Sequence, residues 1–475
     1  MGVSALKELF FPQSICIAGA SRDPSALGHI ILKNLLGGGY AGKIFPVNPH
    51  AESILGMRCY SSVKEIPGRV DLAIIAVPAG IVSSVLMECG GKRIPYAVII
   101  TAGFREAGEK GRTLENEVLR IAQDYGIRIV GPNCMGVYNS HNNLSATFTS
   151  LVPKQGGVSF ISQSGAVGTT MLAWAKKEGI GFSKFVSVGN EADLSLPEFL
   201  KYLAGDESTK VITIYMESVR DGRLLIEAFR SASSKKPVIV MKVGTTPAGA
   251  SAAVSHTGAI AVEDAVLDGV LKQFCIIRAR DPAELFGLAA SFETLPLPRG
   301  RSVAVVASGG GWAVECADLI EVKGLRLKPL PMDVLKLLDR ILPAYWSRKN
   351  PIDTVAVSDA EAYYIAVKAL LERDYDMVFL IGYGVLGSIA LPTLIQRDVD
   401  FAVKISQLVK KYKKPMYVVD VLGPSMSDSA RAFERSGLSV FTTVKSAVDV
   451  AAEMVRYSEY RGRQNQNPRA IIGSA

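Results

Sequence analysis

Several things are scarce in this chain of 475 residues, and each scarcity removes a class of function. The six cysteines are widely spaced and include no Cys-x-x-Cys pair. That excludes a cysteine zinc site and a secreted disulfide frame, leaves no metal site to be expected on this chain, and sets a reducing cytoplasm as the expected compartment. No run of 18 apolar residues occurs and no signal peptide opens the sequence, so neither a membrane span nor export is expected. The net charge of +8 comes without a basic block or an aromatic-interleaved Arg/Lys tract. Nucleic acid is therefore not an expected partner, whereas anionic small ligands suit the charge. There is no Gly-x-x-x-x-Gly-Lys-Ser/Thr loop, hence no nucleotide kinase site of that type. Histidine is scarce as well, with four in all. Only one of them, His256, is set among small residues, Ser255, Thr257, Gly258 and Ala259, which leave its ring room to reach a ligand.

What is present is ordinary globular composition, 48% apolar and 21% charged, in a chain long enough for two to four domains. Many of the 44 glycines follow apolar runs directly, which places them at strand-to-helix turns. In residues 1–142 the strands Ser14–Ala18, Lys43–Val47, Val70–Val77, Tyr96–Thr101 and Ile127–Val130 alternate with helices, notably Glu109–Tyr125. Continuous apolar strands in that alternation predict a parallel sheet covered on both faces, with ligands beyond its carboxyl edge. That edge carries Gly19, Ala20 and Ser21, then Asn48 and Pro49, Val77 and Pro78, Thr101–Gly103, and Asn133 with Cys134. The stretch GASRDPSALG lacks the glycine spacing of a dinucleotide fingerprint, and no acidic residue follows the second strand. An NAD dehydrogenase is thereby disfavoured. His50 and His141 read as surface or structural, His29 as helix surface or edge, and Cys134 as a packing thiol beside the ligand.

In residues 143–297 a strand at Gly157–Ile161 runs into Ser162-Gln163-Ser164-Gly165 and a helix to about Lys177, a cradle for a phosphate at a helix start. Ser162 or Ser164 would serve as an ordinary N-cap; Gly165 is what a cap does not need, and it lets an anion approach the backbone. Val211–Met216 ends at Glu217, on the same carboxyl edge, where a carboxylate can hold an imidazole in one tautomer. The loop after Pro237–Lys242 delivers His256. Imidazole, carboxylate and helix end together suit phosphoryl transfer through a phosphohistidine. Residues 298–457 repeat the alternation after Pro296–Gly300, with Ser302–Ala307 leading through Ser308, Gly309, Gly310 and Gly311 into a second helix start. A polar tail, 458–475, follows.

The motifs GPNCMG at 131–136, ISQSGAVG at 161–168, FVSVGNEADL at 185–194 and SHTGAI at 255–260 together resemble the α subunits of the ADP-forming acyl-CoA synthetases, relatives of succinyl-CoA synthetase. The resemblance covers essentially residues 3–457. It implies an α/β chain of three consecutive domains: a Rossmann-like coenzyme A-binding domain, a flavodoxin-like domain bearing a phosphorylated histidine, and a second flavodoxin-like domain. It implies that His256 is phosphorylated with Glu217 stabilising it, that Ser164, Gly165, Gly310 and Gly311 face phosphate, and that Gly19, Ala20, Ser21, Asn48, Pro49, Val77, Pro78 and Asn133 line the coenzyme A cleft. It further implies that ADP/ATP with Mg2+ is bound mainly on an ATP-grasp β subunit in an α2β2-like assembly. Where the family pattern is closer to GGPG, this chain has Gly309-Gly310-Gly311-Trp312, and the indole is bulky beside the expected phosphate path. A different class of answer is a coenzyme A sensor or scaffold that keeps the fold without turnover; a pure binder would need neither His256 nor Glu217.

Overall fold

The computed structural model describes residues 6–150, 153–249, 251, 263–355, 359–384 and 395–466. His256 and the SHTGAI motif lie outside the described residues. The chain divides into two compact units, Met1–Ala289 and Ala290–Ala475.

The first unit contains two large sheets. One is five-stranded and wholly parallel, in the spatial order Lys43–Val47, Ser14–Ala18, Leu72–Ile75, Tyr96–Ile99, Arg128–Val130. Ser14–Ala18, Leu72–Ile75 and Tyr96–Ile99 are buried at every residue, as a sheet covered on both faces requires. The amphipathic helix Glu109–Tyr125 covers part of it and stops at Gly126, whose φ of 71° provides the left-handed C-terminal turn.

The second sheet runs Ile277–Ala279, Val238–Lys242, Val211–Met216, Gln155–Ser162, Phe182–Ser187, then Gly136–Asn139 and Leu144–Thr147. Its first five strands are parallel. The last two form a hairpin paired antiparallel to Phe182–Ser187, so the break expected at residue 142 falls in the hairpin turn. Sequence periodicity alone did not suggest this hairpin, since its eight residues are buried throughout and show no alternation.

In the second unit the order is Arg326–Leu327, Ser302–Ala307, Met377–Ile381, Met416–Val419, Val440–Phe441, and the short strand Ile352–Asp353 also pairs with Ser302–Ala307. The helix Val444–Gln466 carries the chain well into the stretch read as a polar tail. Tyr457 and Tyr460 are buried on it, and Glu459 accepts from Arg301 Nε and Nη2, at 2.6 and 2.8 Å. These contacts explain why polar composition did not end the fold at 458.

Counting parallel strands in chain order, and leaving aside the two-residue strand Ile352–Asp353, each of the three sheets is wound 2-1-3-4-5. In such a sheet the connections leave the first strand's neighbours in opposite directions, which opens a crevice outside its carboxyl end. The three exits are therefore Gly19–Ser21, Gln163–Gly165 and Ser308–Gly311.

Candidate functional site

At the first exit the backbone is drawn tight. Gly19 has φ +90°, and a Cβ there would stand 2.3 Å from the Ala76 carbonyl oxygen, so only glycine fits. Gly28, in the first turn of the helix Leu27–Gly37, lies against the Gly19 carbonyl in the same way. Asn48 Nδ2 donates to the Ala20 carbonyl at 2.7 Å, while its Oδ1 accepts from His50 N at 2.8 Å. Asn48 thus ties the second strand's exit to the first. Thr101 Oγ1 donates to the Val77 carbonyl at 2.6 Å, and Asn133 N to the Thr101 carbonyl at 2.9 Å. Pro49 and Pro78 are exposed at the rim, and Pro78 precedes the helix Ala79–Gly91. Neither that helix nor Leu27–Gly37 has a side-chain cap at its N-terminus. Two such helix ends beside a glycine turn make a donor set that fits a diphosphate. His29, read as helix surface or edge, is buried, with Nδ1 2.8 Å from the Ser21 carbonyl oxygen. Cys134 is fully buried, its Sγ 3.3 Å from the Ile99 carbonyl, and burial pushes its thiol up to about 12, which keeps it an inert packing group.

At the second exit Ser164 caps the helix Gly165–Lys177, its hydroxyl accepting from Val167 N at 3.3 Å. The Ser162 hydroxyl donates to the Ser164 carbonyl at 2.7 Å. A Cβ on Gly165 would meet nothing closer than Met135 Cβ at 3.7 Å, so the approach to the first turn is open. Glu217 follows the adjacent strand. The Tyr215 hydroxyl hydrogen-bonds its carboxylate, and burial together with that charge pushes the phenol up to about 12. Lys242 ends the next strand in register with Met216. Burial lowers its ammonium, while Asp264 and Glu217 act in the opposite sense. Lys242 thus feels both Glu217 and, from the far side of the segment carrying His256, Asp264. Val243 N donates to the Met216 carbonyl at 3.1 Å, and Asp264, which pairs with Arg278 at 2.6 Å, lies within the electrostatic reach of Lys242.

The third exit lies in the second unit. Gly309 precedes the helix Gly310–Val322 with no side-chain cap. The strand Ile352–Asp353 brings a carboxylate to this end, and a Cβ on Gly310 would lie 3.0 Å from Asp353 Oδ2. No atom would stand within 4 Å of a Cβ on Gly311. The Trp312 indole lies over Gly382, where a Cβ would come within 2.4 Å of the ring.

A family model described as a CoA binding domain matches residues 13–140, and one described as a succinyl-CoA ligase like flavodoxin domain matches residues 155–292. The chain is 40% identical to the acetate–CoA ligase [ADP-forming] II subunit alpha of Pyrococcus furiosus, over 96% of this chain and 99% of that one. This chain belongs to the α subunits of the ADP-forming acyl-CoA synthetases. Its fold agrees with that of a Ca. Korarchaeum cryptofilum dinucleotide forming acetyl-coenzyme A synthetase 1 in complex with phosphate and ADP: TM-score 0.88, 33% identity, 97% of this chain and 98% of that one. The acetate–CoA ligase [ADP-forming] I of Archaeoglobus fulgidus is 37% identical over 97% of this chain but only 64% of its own length.

For this α subunit, sequence reasoning overlooked the groups that join the exits. Asn190 Nδ2 donates to Glu106 Oε2 at 2.6 Å and to Glu115 Oε2 at 2.9 Å, and its Oδ1 accepts from Asn133 at 3.3 Å. Glu191, beside it, is fully buried and pushed up to about 7 by burial. Gln163 bridges Glu191 to the backbone of Glu217 and Ser218. The motif GNEADL was the available signal, a polar pair placed directly after a strand at the carboxyl edge. Among the described residues no group of three or more His, Cys, Asp or Glu is arranged to hold a metal, and no helix is long and apolar enough to cross a membrane.

Proposed function

We propose that this chain carries the acyl-CoA and phosphohistidine steps of a reversible reaction, acyl-CoA + ADP + phosphate to carboxylic acid + coenzyme A + ATP. Orthophosphate attacks the thioester carbonyl, giving an acyl phosphate and releasing coenzyme A. His256 then takes the phosphoryl group and frees the acid, and the phosphohistidine delivers it to ADP. Ser164 and the Gly165 backbone offer donors at a helix start to the transferring group, and Glu217 accepts from the imidazole and holds its tautomer. Gly19, Ala20, Ser21, Asn48, Pro49, Val77, Pro78 and Asn133 line the coenzyme A crevice. Gly310 and Gly311 offer a second phosphate-facing helix end.

The observation that carries this reading is the placement of Glu217. Its carboxylate is held by Tyr215 one strand away from the open Gly165 end, and Lys242, at the end of the next strand, feels both it and Asp264. ADP/ATP and Mg2+ are assigned mainly to an ATP-grasp β subunit in an α2β2-like assembly. Two relatives support that division: one named as a subunit alpha is spanned almost whole, and a longer one continues for a further third of its length.

The test is labelling. Acyl-CoA with radiolabelled orthophosphate, or labelled ATP with the β subunit, should give acid-labile, base-stable label on the wild-type chain and none on His256→Ala. Saturable coenzyme A binding without label in any arm would sink the catalytic reading in favour of a coenzyme A sensor.

A further inference from the structure

The side-chain amide of Gln163 has all four of its hydrogen-bonding positions filled. Its Oε1 accepts from Glu217 N at 2.6 Å and Ser218 N at 2.9 Å; its Nε2 donates to Glu191 Oε1 at 2.7 Å and to the Ser218 carbonyl at 3.1 Å. Two N–H groups on one side and two oxygens on the other also fix which end of the amide is oxygen. The residue immediately precedes Ser164, the cap of the phosphate-facing helix, and its own N–H donates to the Tyr215 carbonyl at 3.2 Å. One side chain therefore grips the backbone on which Glu217 is mounted, from the residue before the cap of the helix that faces the phosphate.

We propose that Gln163 is a positioning residue for phosphoryl transfer, setting Glu217 against the Gly165 helix end, with Glu191 and Asn190 linking that setting to the coenzyme A lobe. The proposal rests on the phosphohistidine reading given above. Glu191 receives Gln163 Nε2 and the Leu196 N–H on its carboxylate, and the Arg220 guanidinium bonds its carbonyl. Asn190, the adjoining residue, reaches Glu106 and Glu115 beside the first sheet and Asn133 at the coenzyme A crevice. The run from Asn133 to Glu217 is thus continuous through named hydrogen bonds and the one peptide bond between Asn190 and Glu191. A plain structural glutamine would need only one or two of these bonds, whereas this one satisfies two successive amides of the catalytic strand's exit at once.

The charges facing Glu191 settle how the amide can be tested. Arg105 favours its ionised form, Glu198 opposes it, and burial outweighs both. Gln163→Glu keeps an acceptor for the Glu217 and Ser218 amides but sets a second carboxyl against Glu191 Oε1 and the Ser218 carbonyl. It can replace the amide only while the introduced carboxyl and Glu191 hold a proton between them, and its transfer rate should therefore fall as pH rises through neutrality. Gln163→Ala removes the grip at any pH.

The experiment is single-turnover labelling of the full chain with its β subunit from acyl-CoA and radiolabelled orthophosphate, alongside coenzyme A binding by calorimetry. Gln163→Ala should label about 10- to 100-fold more slowly than wild type, with coenzyme A affinity changed less than about threefold. Gln163→Glu should approach the wild-type rate near pH 6 and lose about tenfold or more by pH 8, a profile that wild type does not share. A wild type that never labels overturns the phosphohistidine reading and this inference with it. A labelled wild type whose Gln163→Ala variant labels as fast, or whose Gln163→Glu variant follows the wild-type pH profile, overturns this inference alone.

Discussion

In the first unit the strand Gln155–Ser162 hands over to a helix capped by its own Ser164, and the nearest functional carboxylate, Glu217, sits at the end of the adjacent strand. In the second unit Ser302–Ala307 hands over to a helix that starts at Gly309 without a side-chain cap, and Asp353 is brought to its first turn by an extra two-residue strand. Both sheets have the same winding, so the difference comes from the residues that finish each exit. One keeps its negative charge a strand away and leaves the helix end open to a phosphate. The other holds a carboxylate at the helix end, where the positive end of the helix dipole favours it. A phosphate arriving at the second end meets Asp353, which makes the first the stronger station.

The widest separation between the two should come from removing each carboxylate. Glu217→Gln is expected to lower turnover about 100-fold, within the range for a group that orients an acid–base imidazole, with coenzyme A affinity held. Asp353→Asn should cost about tenfold or less. Steady-state kinetics of the two variants decides it, and equal losses would break the comparison.

The next effect is a pH dependence confined to the Gln163–Gly165 exit. Glu191 is pushed from its ordinary 4.5 up to about 7 by burial. The native state therefore holds a proton that the unfolded chain releases between those values. Stability is complete below pH 4.5, falls as pH climbs to about 7, and is flat above, a loss on the order of 3 kcal/mol for a shift of this size. Glu191→Gln keeps the acceptor for Gln163 and should remove that slope, so its melting temperature should exceed the wild type's near pH 8. A parallel pair of stability–pH curves would refute the assignment.

Glycine packing separates the exits further. Gly382 has φ +75°, and a Cβ there would lie 2.3 Å from the Ser308 hydroxyl and 2.4 Å from the Trp312 ring. Gly382→Ala should destabilise the second unit by about 2 kcal/mol through overpacking and left-handed strain. Gly165→Ala meets only an ordinary contact at 3.7 Å and replaces a helix glycine. Its stability should rise by about 0.5 kcal/mol while the labelling rate drops, because the new methyl stands in the anion's approach. Thermal unfolding of the pair, read with labelling, distinguishes a packing glycine from a ligand-facing one.

How far each exit could be read from sequence follows from the range of the interactions involved. Apolar strands ending in glycine located all three exits, because a parallel strand buried on both faces and its turn are local patterns. Val211–Met216, Ser302–Ala307 and Glu109–Tyr125 fall where the alternation of apolar strands and helices places them. The hairpin Gly136–Thr147 escaped because its pairing with Phe182–Ser187 is long-range. Lys184 escaped for the same reason: it is wholly buried in that strand, where Asp206 and Ser208, each 2.7 Å from its Nζ, and the Phe11 ring receive its charge. At the site, the residues carrying chemistry were legible by type and edge position. Gln163, Asn190 and Glu191 were not, since their roles consist of partners 28 to 84 residues away.

The smallest expected effects lie in the caps themselves. Ser164→Ala removes the acceptor for Val167 N and should cost about 1 kcal/mol of stability. Gly309→Ser works in the other direction. The backbone at Gly309 is already extended, φ −158° and ψ 147°, and a Cβ there meets nothing within 4 Å. A serine can adopt that conformation without strain and supply the cap the helix lacks, for a gain of a few tenths of a kcal/mol. If the second end is guarded by Asp353 rather than kept vacant for phosphate, this gain should leave turnover within about twofold of wild type. A stabilised Gly309→Ser enzyme that loses its activity would instead make Gly310 and Gly311 a phosphate station equal to the first, and would reverse the ranking drawn from Asp353.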